Sequence, residues 1–220
     1  MTSDAQAKKA AAAQASKIGW IRPGIFYSLL VTLLADVCAS RAASLLHLTL
    51  WSWILHLLYF ELPLSSCNRV IWLHGPSLGG SVALWNMYLW TLYANPQMEF
   101  DLAPEGRPEW LILIRAAWLH AAPVIFHMVD LHWHSRDLQR AYRSATSNGR
   151  GRLLQWLWSS VGGYLAMGLT WEYVNGDATA TYHVTVVSEA VYVNVSKVVG
   201  IGSCLFTFWL FTKPLLISKQ

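Results

Sequence analysis

Six apolar stretches, at 24–40, 43–64, 70–94, 110–132, 153–174 and 190–216, alternate along the chain with short polar connections. At ~1.5 Å of rise per residue, helices of this length cross a hydrocarbon core of about 30 Å, the longest with tilt or an interfacial extension. Membrane strands fit poorly, because the runs far exceed the roughly 10 residues of such a strand and do not alternate polar with apolar positions. The pattern therefore predicts an all-α membrane protein, a bundle of six transmembrane helices over 24–216. A polar tail, 1–23, expected to be disordered, precedes the bundle, and a short tail, 217–220, follows it. Pro76, Pro123 and the glycine pairs Gly79/Gly80 and Gly162/Gly163 fall inside the predicted spans, where kinks and close helix approach are tolerated.

Charge tests the count. Of the 16 basic residues, 12 fall on one side of a six-span arrangement: Lys8, Lys9, Lys17 and Arg22; Arg69; Arg136, Arg140, Arg143, Arg150 and Arg152; Lys213 and Lys219. The opposite side holds Arg41 and Arg107 beside the acidic Glu99, Asp101, Glu105 and Glu109, while Arg115 and Lys197 lie within spans. Cytoplasmic loops carry the excess of Lys and Arg, so both termini are expected in the cytoplasm. Charged residues make up only 13% of the chain and hydrophobic ones 55%, which places most of it out of water. Thirteen tryptophans and nine tyrosines supply the amphipathic rings that favour membrane interfaces. The net charge of +4 is accounted for by topology, with no nucleic-acid partner implied. No cleavable leader is visible in residues 1–17, so the first span is expected to direct insertion. Cys38, Cys67 and Cys204 have no metal-ligand spacing and read as reduced and structural, with Cys67 open to palmitoylation. No separate extramembrane domain is expected, since the longest loop, 133–152, is too short and polar to bury a core.

Function must then reside in polar groups within the bundle, since ionisable side chains at membrane depth are costly. His120, His127 and His134 recur every seven residues along one face of the fourth span, with Asp130 placed to orient His127. His120 falls near mid-membrane, where a neutral imidazole is a proton acceptor or, equally, a core residue satisfied by a carbonyl or hydroxyl. In the second span, Thr49 and Ser52 offer hydroxyls. A membrane threonine commonly bonds its own helix, but the second and fourth spans run in the same direction and place Thr49 and His120 at comparable depth. A hydroxyl within reach of a base is the minimum apparatus for covalent acyl transfer.

The segments LHLTLWSWILHLLYF, HGPSLGGSVALWNMYLWTLYANP, WLHAAPVIFHMVD and SVGGYLAMGLTWEYVNG together resemble the family of androgen-induced gene 1 protein and androgen-dependent TFPI-regulating protein, across about residues 24–216. The resemblance implies a six-span membrane threonine hydrolase with Thr49 as nucleophile and His120 as general base. His127, Asp130 and Arg115 are the supporting candidates, and His47 or a backbone amide are further candidates for the oxyanion donor. It implies no metal and no cofactor. The implied substrates are fatty acid esters of hydroxy fatty acids, or similar lipid esters, reaching the site from the bilayer. The chain departs from the family in a short connection between its second and third spans, in Pro123 following so soon after His120, and in the exit DATATYHV after Gly176. These departures bear on substrate preference.

Two other readings compete. A metal-dependent intramembrane enzyme would use His74, His120, His127, Asp130, His132 and His134, and would lose activity to a chelator. A transporter, channel or regulatory scaffold would use Asp36, Arg115, Glu172 and Lys197 as intramembrane pairs, although no repeated halves are visible. The expected location is the endoplasmic reticulum or plasma membrane, and the oligomeric state is left open.

Overall fold

The structure is a computed structural model that describes residues 19–39, 48–62, 67–101, 103, 106–145, 149–175 and 186–212. Residues 1–18, Arg41, His47 and 213–220 lie outside the described residues, as do the side chains of Cys67 and Glu172. All regular structure among the described residues is helical: α1 (Ile21–Ala39), α2 (Leu48–Glu61), α3 (Cys67–Ala94), α4 (Met98–Asp101), α5 (Glu109–Ala145), α6 (Gly149–Asn175) and α7 (Glu189–Thr207), which a π-helical turn (Phe208–Thr212) continues. Among the described residues, three stretches, Ile21–Cys38, Glu109–Tyr142 and Ala190–Leu210, are long and apolar enough to cross a membrane.

The other long helices differ from these for a physical reason. α3 packs against α2, α5, α6 and α7, so it is the central helix of the bundle. A helix covered by protein can carry Asn, Ser, Gly and Pro that would be costly against lipid. Gly75 shows why small residues sit there: a Cβ at this position would come within 2.6 Å of the Ser160 hydroxyl on α6. Gly200 likewise lets Tyr164 of α6 press against α7, since a Cβ there would lie 2.1 Å from the phenol.

Two boundaries differ from the sequence reading. α1 begins at Ile21 rather than at 24, with Pro23 in the first turn, where its missing N–H leaves no bond unmade. The loop expected over 133–152 is largely helix, because α5 runs on to Ala145 and α6 starts at Gly149. At His134 the backbone leaves helical geometry (φ −114°, ψ 15°), and the helix resumes beyond it. Leu138, Ala141 and Tyr142 are buried in this extension, with Tyr142 packed in a cluster with Trp156 of α6. The apolar spacing of these residues is what makes a helix of a segment whose arginines suggested a loop.

Candidate active site

Pro123 sets the local geometry. A proline has no N–H to offer the carbonyl four residues back, so the Leu119 carbonyl on α5 is left without its helical donor. The Trp53 indole of α2 donates to it at 2.9 Å. Both the ring and the bond are buried, and they clamp α2 to α5 beside His120. Thr49 lies one turn before Trp53 on the same face of α2, so the clamp brings its hydroxyl to the imidazole.

The contact is direct: Thr49 Oγ1 is 3.1 Å from His120 Nε2. His120 Nδ1 lies 2.8 Å from the Ala116 carbonyl. A carbonyl only accepts, so Nδ1 carries the proton and Nε2 is left as the acceptor. The Thr49 hydroxyl therefore donates to Nε2, which is the orientation a general base needs. Tyr88 of α3 stacks flat on the imidazole, with ring centroids 3.7 Å apart and planes 12° from parallel. That face contact and the Ala116 bond fix the ring in position.

The pair opens onto a small cleft, of about 30 Å³, lined by Leu84, Met87, Tyr88, Thr91, Met98 and Tyr192. On the other side of Thr49 a narrow crevice is lined by Ser52, Trp53, Ser81, Leu84, Leu119 and Pro123. The site is thus apolar with hydroxyl groups at intervals, a composition common to small-molecule sites.

The remaining sequence candidates fall elsewhere. Asp130 does not reach the Thr49–His120 pair. Its Oδ2 accepts from Arg22 Nη1 and from the Tyr59 hydroxyl, each at 2.7 Å. Arg22 Nη2 also donates to the carbonyls of Tyr59 and Leu62 at 2.7 and 3.2 Å. His134 Nδ1 lies 2.9 Å from Asp130 Oδ1. His127 Nε2 is 2.8 Å from the Ser77 hydroxyl, and its ring packs against those of His56, Tyr59 and Phe60. His74 Nδ1 is 2.8 Å from the Tyr142 hydroxyl. His56 Nδ1 donates to the Ser52 carbonyl in its own helix. His132 is exposed and turned away, against Trp133.

The histidines proposed as one metal set are therefore divided among three places: His120 beside Thr49, His132 on the exposed face, and the others around Tyr59 and Asp130. Among the described residues no three of His, Cys, Asp and Glu are arranged as a metal shell. Of the charges proposed as intramembrane pairs, Arg115 Nη2 and Asp36 meet at 2.5 Å, while Lys197 is exposed. Glu99, in α4 outside the spans, is buried near that pair. Burial raises its carboxyl above the ordinary value; Arg115 opposes the shift and Asp36 adds to it.

Sequence reasoning missed Tyr88, Trp53, Ser81, Thr91 and Tyr192 as parts of the site. The proline after His120 was the available signal for Trp53, because a freed carbonyl inside a membrane span demands a donor. No family model, curated protein or solved structure matches the chain.

Proposed function

We propose that the protein is an intramembrane lipid-ester hydrolase with Thr49 as nucleophile and His120 as general base, built on six membrane-crossing helices with both termini in the cytoplasm. The observation that carries the reading is the Thr49 hydroxyl donating to His120 Nε2 at the wall of an apolar cleft. The uneven distribution of Lys and Arg supports the topology. The family resemblance supports the reaction and suggests fatty acid esters of hydroxy fatty acids as substrates.

In this mechanism His120 Nε2 takes the hydroxyl proton as Thr49 Oγ1 attacks the ester carbonyl. Collapse of the tetrahedral intermediate breaks the bond to the alcohol oxygen, which leaves with the proton from His120. Water then attacks the acyl-threonine, giving its proton to His120, and collapse releases the fatty acid and returns the proton to Thr49. The negative oxygen of each intermediate needs hydrogen-bond donors; the Ser52 hydroxyl, which lines the crevice beside Thr49, is a candidate, whereas Ser81 already donates to the Leu78 carbonyl.

The test is release of free fatty acid from such an ester by purified protein, comparing wild type, Thr49→Ala and His120→Ala, with a chelator control. Loss of at least ~100-fold in both variants, with no effect of chelator, is the expected result. Full activity in Thr49→Ala would end the mechanism. Loss on chelation would redirect attention to His74 and His127.

A further inference from the structure

The cleft has a second polar point that the hydrolytic mechanism does not use. Thr91 of α3 and Tyr192 of α7 line the same cavity as Thr49 and His120, and their hydroxyls lie 2.9 Å apart. Both side chains are buried, and the surfaces between the two polar points are those of Leu84, Met87 and Met98. Tyr88, which stacks on His120, precedes Thr91 by one helical turn, a rise of roughly 4.5 Å. The two hydroxyls therefore stand a few bond lengths along the cleft from the reacting pair.

Their hydrogen bonding can run in either direction. Thr91 Oγ1 lies 2.8 Å from the Met87 carbonyl one turn back. When Thr91 donates there, Tyr192 donates to Thr91 and the phenol oxygen is left to accept from a ligand hydroxyl. When Thr91 turns its proton to Tyr192, the phenol proton is free to donate to a ligand carbonyl. Either arrangement suits an uncharged oxygen. An ionised carboxylate at the same wall would exchange its hydration shell for two neutral hydroxyls, at considerable cost.

We infer that Thr91 and Tyr192 form a subsite for a second, uncharged oxygen of the ester substrate, such as the free hydroxyl of a monoacylglycerol. This rests on the hydrolase reading above and, within it, favours neutral esters with a hydroxyl or second carbonyl near the scissile group over esters of hydroxy fatty acids, whose free end is an ionised carboxylate. An ester whose only other polar group is an ionised carboxylate gains nothing from this wall.

The experiment measures kcat/KM of the purified full chain for 1-monooleoylglycerol and for propyl oleate, which lacks the hydroxyls, in wild type, Thr91→Val, Tyr192→Phe and Thr91→Ser. Wild type is expected to favour the monoacylglycerol by about tenfold, the scale of one or two hydrogen bonds. That ratio should collapse toward one in Thr91→Val and Tyr192→Phe and recover in Thr91→Ser. An equal fall on both substrates would assign the two residues to packing and overturn the subsite. So would a wild-type ratio near one, with the hydrolase reading left standing. Failure of wild type to cleave any ester would end the hydrolase reading itself and the subsite with it.

Discussion

The bundle holds two polar regions that share α2 and α5, and they are built on opposite plans. Around Asp130, opposite charges meet directly: Arg22 bridges from α1, Tyr59 adds its hydroxyl, and Arg22, Tyr59 and Asp130 are all buried. Around His120 the named contacts are with neutral groups, and Thr49 and His120 are themselves half-buried and face a cleft. A carboxylate oxygen held by a guanidinium and a phenol serves as a fixed counter-charge, whereas an imidazole nitrogen accepting from a hydroxyl can exchange a proton. Charge inside a membrane protein therefore does not by itself mark the reactive centre. Here the charged region ties three helices together, and the neutral region is the one fit for chemistry.

Removing one partner from each region should separate the two roles. Asp130→Ala leaves the Arg22 guanidinium buried without its counter-charge, and is expected to lower stability by about 3–5 kcal/mol. Thr49→Ala removes one neutral hydrogen bond and should cost only about 1 kcal/mol while abolishing ester cleavage. Denaturation of both variants in detergent, set beside their activities, checks the contrast; equal destabilisation would erase it. A smaller effect comes from the joint between α2 and α5. Trp53→Phe strands the Leu119 carbonyl and should cost about 1–2 kcal/mol. Pro123→Ala in that background restores a helical donor and should recover part of the loss, which a double-mutant cycle reads directly.

The smallest expected effect is a slope with pH. Because burial raises the Glu99 carboxyl in the folded chain, the unfolded chain loses this proton first. Stability should therefore decline as pH rises from the ordinary value of 4.5 to the raised folded value, then level off. Glu99→Gln removes that component, and melting curves of both proteins across the interval measure the difference.

The sequence carried depth better than direction. Counting residues from the span ends placed Thr49 and His120 at similar depth, and the seven-residue spacing put His120, His127 and His134 on one inward face. It could not say what faced them. Whether Asp130 meets His120 or Arg22 depends on the order of helices around the bundle, which no periodicity within a helix encodes. Arg22 read as part of a basic tail because it precedes the apolar run, yet one turn of helix before that run takes it inside. Thr91 and Tyr192 were equally hidden: each is an ordinary boundary residue until α3 and α7 are set side by side. The arginines after His134 masked a helix for another reason, since its buried positions, Leu138, Ala141 and Tyr142, have helical spacing but are few among charged and polar neighbours.

Pro123 also bears on how the protein is assembled during synthesis. α5 emerges from the insertion machinery with one carbonyl that its own backbone cannot satisfy, in surroundings that hold no water to satisfy it. α2 has been made by then, and its Trp53 supplies the missing proton. The event that completes α5 is thus the same one that delivers Thr49 to His120. A chain in which the two helices have not met keeps Thr49 apart from His120 and leaves the Leu119 carbonyl without its donor.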